Sequence, residues 1–241
     1  MLTAAAVCPH PPLLVPQVAA GAAAELAGLR AACDRAVAAL AASGPDVVAV
    51  VGAGARDRDH PAGAGGGFAD FGVPLRVGPG EPVLPPALTV GRWLAERAGV
   101  RPDRYAEVAA AAGPERCLAR GAALAGAGRR VALLVMGDGS ARNGEAAPAP
   151  ADPQAPAFDR AVAAALAAAD ADALARLEPR AAERLMAQGR PAWQVLAGAA
   201  RALPEGRPLR GELLAHEAPY GVGYFVAVWT QEAGGVEAAA R

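Results

Sequence analysis

This chain has three histidines, His10, His60 and His216. His10 is held between Pro9 and Pro11, His60 follows Asp57 and Asp59, and His216 precedes Glu217. Mid-chain, Gly137-Asp138-Gly139-Ser140 places a carboxylate and a hydroxyl in a tight, glycine-flanked segment. A neutral imidazole and a carboxylate suit a divalent metal of intermediate hardness. Two histidines and one carboxylate on one face leave positions open for substrate and dioxygen at Fe(II). The residues that could do such chemistry are His10, His60 and His216, the carboxylates Asp138 and Glu217, and Ser140.

The elements that must position them follow from pattern. Residues 2–8 read as a short buried strand that stops at Pro9-His10-Pro11-Pro12, where fixed φ angles and missing donors make a stiff loop. Residues 25–42 carry Leu26, Leu29, Cys33, Val37 and Leu40 at helical spacing and end at Gly44-Pro45. The valine-rich run 46–52 has the continuous apolar character of a central parallel strand. Residues 53–72 form a long irregular stretch, a functional loop or a disordered one. Strands are expected at 73–77, 105–110 and 130–136, and helices at 88–98 and 114–125. After a loop reaching Pro156, helices are expected at 157–169, 171–177, 180–187 and 192–202. Two closing strands, 207–214 and 221–229, flank His216-Glu217, and the tail after Glu232 is expected to fray. Strands alternating with helices predict an α/β fold, a single-domain α/β/α sandwich around a mostly parallel, mixed sheet. In such sheets ligands bind beyond the carboxyl ends of the strands. His10 and Asp138 follow predicted strands, and His216-Glu217 precedes the last.

Three ordered segments resemble a known family. Pro9-His10-Pro11-Pro12-Leu13-Leu14-Val15-Pro16 after the first strand is similar to the opening of class III extradiol ring-cleavage dioxygenases of catalytic-subunit type. Gly137-Asp138-Gly139-Ser140 resembles their mid-chain glycine/serine loop. Glu217-Ala218-Pro219-Tyr220-Gly221-Val222-Gly223-Tyr224 resembles their C-terminal glutamate segment. The resemblance implies non-haem Fe(II) and opening of a catechol-type aromatic ring, with His10 and Glu217 as ligands. It also implies a homodimer. Two positions depart from the pattern: Ala53-Gly54-Ala55 stands where a second histidine ligand is expected, and Ala141 where an acid/base histidine is expected. His60 substitutes as a ligand only if its loop folds back. Loss of the acid/base group implies slow turnover. The missing ligands equally suit a relative of the MEMO type, which binds a small molecule or a protein without oxygenase chemistry.

Plainer readings stand beside these. His10 is a structural, hydrogen-bonded histidine or a ligand. His60 between acidic neighbours reads as solvated. His216 and Glu217 are consecutive, and neighbouring strand residues face opposite sides, so both cannot meet one metal. Asp138 can cap a turn, and Gly221 and Gly223 suit close backbone packing. The Val50-Val51-Gly52-Ala53-Gly54 run lacks the third glycine of a dinucleotide fingerprint, since Asp57 stands there. Ser140 lacks the nucleophile elbow of the α/β-hydrolases, because Ala141-Arg142 follows it.

Composition sets the outer bounds. Hydrophobic residues make up 54% of the 241, yet aromatics are only 4%, so the core rests on leucine, valine and a few rings. All 23 basic residues are arginine, with no lysine or isoleucine and one asparagine, a pattern of biased codon usage. A net charge of −1 gives no field to recruit nucleic acid or anionic lipid. Cys8, Cys33 and Cys117 form no paired motif, which predicts a reducing compartment. Pro9, Pro11, Pro12 and Pro16 break the apolar N-terminus as a signal helix. The expectation is a cytoplasmic protein with no membrane span.

Overall fold

The computed structural model describes residues 1–231; the predicted fraying after Glu232 falls outside them. In chain order come β1 (Leu2–Cys8), α1 (Pro16–Ala19), α2 (Ala27–Ala42), β2 (Val47–Gly54), β3 (Arg58–Pro61) and β4 (Gly66–Gly67). Then follow β5 (Arg76–Val77), α3 (Pro86–Arg97), β6 (Arg104–Ala109), α4 (Pro114–Ala125) and β7 (Val131–Met136). The last part holds α5 (Ala155–Ala168), α6 (Ala171–Ala175), α7 (Pro179–Arg184), α8 (Arg190–Arg201), β8 (Leu209–Glu217) and β9 (Tyr224–Gln231).

Seven strands form one mixed sheet in the order β3-β6-β2-β7-β1-β9-β8. Its centre is parallel: β1 and β2 both pair β7 parallel, and β2 pairs β6 parallel. The flanks are antiparallel, through β3 on β6, and through β9 on β1 and β8 on β9. The expected α/β/α sandwich is what these residues build. Strand residues alternate between two cores. Ala6, Cys8, Val50, Leu134 and Met136 meet Leu29, Cys33 and Val37 of α2 and Leu88 and Leu94 of α3. Val7, Val51, Leu133 and Val135 meet Cys117 of α4, Val162 and Leu166 of α5, and Trp193 and Leu196 of α8. Gly121 and Gly198 let α4 and α8 touch backbone to backbone; a Cβ on Gly198 would strike the Leu118 carbonyl. Among the described residues no helix is long and apolar enough to cross a membrane.

Three expectations need correction. The 53–72 stretch is ordered: β2 continues to Gly54, β3 pairs β6, and Phe68 is fully buried. β3 was invisible to alternation because it is a polar edge strand, Arg58-Asp59-His60-Pro61, fastened by Arg120 to Asp59 at 2.5 Å. The strand predicted at 73–77 shrinks to Arg76–Val77, paired only with Gly66–Gly67; Pro74 brings no N–H to a ladder. Finally, His216 and Glu217 lie within β8 rather than in a loop, past an irregularity between Leu213 and Ala215.

Candidate functional site

β1, β2, β6, β7 and β8 all run toward one edge of the sheet, and there the chemistry-bearing residues gather. β1 ends in the Pro9–Pro12 segment, and Gly137, at the end of β7, donates its N–H to the Cys8 carbonyl at 2.9 Å. This splice sets His10 beside Asp138. The backbone N–H of His10 donates to Asp138 Oδ1 at 2.8 Å, and the ring Nδ1 lies 3.6 Å from the same oxygen. On its far side, Nε2 is 3.2 Å from Oε1 of Gln188, which accepts from the ring in the tautomer that carries its proton on Nε2.

His10 is 5% exposed, and its Nδ1 is buried without a hydrogen-bond partner. This nitrogen faces the Asp138 carboxylate. Burial raises the Asp138 carboxyl above its ordinary range, and the nearby His10 pulls it back down. Tyr224, buried at the start of β9, has its hydroxyl pushed far above the usual phenol range, first by burial and then by the Asp138 charge.

Below this pair, a second acid fastens the loop. Asp159 of α5 is 1% exposed; its Oδ1 accepts the Ser140 N–H at 2.9 Å and its Oδ2 accepts the Asn143 side-chain amide. Burial raises this carboxyl to about 6, against the Ser140 N–H that lowers it. Gly139 and Gly223 are glycine because Asp159 fills their side-chain space: a Cβ on Gly139 would lie 2.6 Å from Oδ1, and one on Gly223 would overlap Oδ2. Gly139 N–H donates to Gly223 O at 2.7 Å, and Gly223 N–H to Ser140 O at 2.9 Å. Sequence reasoning missed Asp159, although an acid three residues before Val162 and seven before Leu166 sits on the buried stripe of its helix.

The candidates separate on this map. His10 and Asp138 come together. Ser140 does not face a ligand: it is fully buried, its hydroxyl donates to Leu185 O at 3.1 Å and accepts Arg142 N–H at 3.1 Å. Its catalytic assignment is corrected to a fastening role. Glu217 is exposed at the end of β8 and pairs with Tyr224, two strand steps from β1, or about 10 Å. His216 points the other way and stacks on Phe225 at 4.8 Å, as strand alternation requires.

His60 lies elsewhere. It is on edge strand β3, four steps from β1 and six from β8, roughly 19 and 29 Å away. The expected solvated loop histidine is buried, with Nε2 3.0 Å from Oε2 of Glu107 on β6. Its placement in one shell with His10 and Glu217 is therefore corrected, because no ion spans a seven-stranded sheet.

Nor does the end of β2 offer a replacement. The side-chain space of Gly54 is filled by the Glu107 carboxylate, which a Cβ there would overlap. Among the described residues no three of His, Cys, Asp and Glu gather as an ion-holding group. The residues present do not fit the Fe(II) centre that the family resemblance implies.

No protein-family model matches the sequence, and no curated protein matches it. Among solved structures, the chain is similar to an uncharacterized protein, JW3007, from Escherichia coli K12. The likeness has 12% identity and a TM-score of 0.49 over 95% of this chain and 99% of that one. At that level it carries no statement about activity.

Beside the pair, a cleft of about 300 Å³ opens between the loop after β6 and the segment from α7 to the start of α8, lined by Ala111, Pro179, Met186, Gln188, Arg190 and Pro191 among others. Gln188 belongs both to this cleft and to His10. It carried no signal in the sequence; only the Gly189-Arg190-Pro191 run announced a helix start beside it.

Proposed function

We propose that this protein is a small-molecule-binding member of the dioxygenase-like superfamily, with its site on the His10–Asp138 pair and without metal-dependent ring cleavage. The observation that carries this reading is the state of His10: buried at the carboxyl edge of a parallel sheet, backed by a carboxylate, and covered on its donor side by one exposed glutamine. Such an imidazole presents a directed N–H to a ligand oxygen. The filled space at Gly54 and the remote pairing of His60 with Glu107 argue against a third ligand.

The ring-cleavage reading retains one favourable observation. Glu217 is on the same sheet edge as His10, exposed and two strands away. That supplies two ligands, one short of the facial set such chemistry uses.

The test is a fragment screen on protein carrying ¹⁵N-labelled histidine. Ligands of the proposed site move the His10 ring nitrogens, and their binding weakens in His10→Gln. If every binder leaves the His10 signals in place, the site is elsewhere and the proposal fails.

A further inference from the structure

The cleft beside Gln188 has a polarity that its structural role does not require. Arg190, at the first turn of α8, is 3% exposed and lines the cleft. Its guanidinium donates to Ala110 O at 2.7 Å and to Ala112 O and Gln194 Oε1, each at 2.8 Å. It also faces the Cys117 thiol. Carbonyl dipoles satisfy its hydrogens, yet no carboxylate of the described residues lies within ion-pair distance. Exposed Glu178 acts on it only from beyond ion-pair distance, and burial lowers the Arg190 pKa.

Met186 closes the C-terminus of α7 in the left-handed conformation (φ 56°), its N–H on Glu183 O at 3.0 Å and the Ala187 N–H on Ala182 O at 2.8 Å, and its side chain is exposed on the rim. Gln188 is exposed while the His10 ring it covers is buried, so its Oε1 is an oxygen that an incoming ligand can replace. Elsewhere the lining is aliphatic, from Ala111, Pro179, Met186 and Pro191. Glu183 is the one acid there, exposed on α7 with its charge solvated.

We infer that this cleft binds a small monocarboxylate with an apolar body. One carboxylate oxygen takes the place of Gln188 Oε1 on His10 Nε2–H, the anion lies in the field of Arg190, and the body rests on Pro179 and Met186. This inference rests on the ligand-site reading of His10 and names the ligand class for it. A volume of about 300 Å³ is at the lower end for small-molecule sites and suits an acid of roughly ten heavy atoms.

The test titrates the full-length, metal-stripped protein with hexanoate and with benzoate, each compared with its neutral amide. Calorimetry gives affinity and ¹⁵N-histidine spectra give the position. Each carboxylate should bind at least about tenfold tighter than its amide and shift His10 Nε2, a factor of ten being ordinary for one charge-assisted contact. Gln188→Ala, at an exposed position, should tighten binding by removing the competing acceptor. Ala111→Trp, also exposed, should fill the cleft and abolish binding while the unfolding temperature holds. Amides binding as well as acids, with His10 still shifting, would overturn the anion assignment and leave the His10 site standing. Binding that ignores Ala111→Trp, or no binding of either acid in the millimolar range, would overturn the inference outright.

Discussion

Asp138 Oδ1 serves His10 twice: it accepts the backbone N–H at 2.8 Å and stands 3.6 Å from the ring Nδ1. One carboxylate thus fixes the loop that carries the histidine and faces its ring. Removing it should have two separable effects. Asp138→Ala strands a part-buried N–H and should destabilise the fold by about 1–3 kcal/mol in urea unfolding. Asp138→Asn keeps an acceptor and should lose less. Equal losses for the two would mean that the backbone bond is not what matters.

Asp159 predicts a pH dependence. Its carboxyl is raised from 3.8 to about 6 by burial, so the folded state binds a proton more readily than the unfolded chain does. Its stabilising contribution is therefore fully present below about pH 4 and disappears as pH rises through 6, an effect of up to about 3 kcal/mol. Unfolding free energies measured from pH 4 to 7 should fall more steeply in the wild type than in Asp159→Asn. Parallel profiles would show that Asp159 titrates normally.

The same acid explains two glycines, and that relation can be checked by a double-mutant cycle. Gly223→Ala drives a Cβ into the Asp159 carboxylate and should destabilise by about 2–4 kcal/mol. In an Asp159→Ala background the added methyl has room, so the same change should be much milder. Additive losses would mean the glycine is needed for some other reason.

Ser140 and His60 should behave as structural residues. Ser140→Ala removes the bonds to Leu185 and Arg142 and should reduce stability by about 1–2 kcal/mol without altering any ligand affinity at His10. His60→Ala leaves buried Glu107 short of a partner and should reduce it by about 2–4 kcal/mol, again without effect at His10. A loss of ligand affinity in either variant, with the fold intact, would restore that residue to the site.

The parts of the molecule that could be read from sequence are those whose pattern is local. Val47–Gly54 and Val131–Met136 are apolar on both faces because helices cover both faces, and α4 begins at a proline as expected. His10 and Asp138 could be placed at strand ends for the same reason. What could not be read depends on contacts between distant segments. The pairing of His60 with Glu107 joins residues 47 positions apart across an edge strand with no apolar signature. Gln188 reaches His10 over 178 residues, and no periodicity encodes that meeting. Glu217 reaches the His10 edge of the sheet because β9 runs antiparallel to β1 and β8 runs back along β9, a pairing that no local signal encodes.

Metal affinity decides most directly whether this edge is a metal-free ligand site. Metal-stripped protein would be titrated anaerobically with Fe(II) and with Zn(II), alongside His10→Ala and Glu217→Ala. A site made of His10, Asp138 and Gln188 predicts no stoichiometric uptake, with any weak binding unchanged in both variants. One equivalent bound tightly, and lost in both His10→Ala and Glu217→Ala, would contradict it and make the metalloenzyme reading the better one.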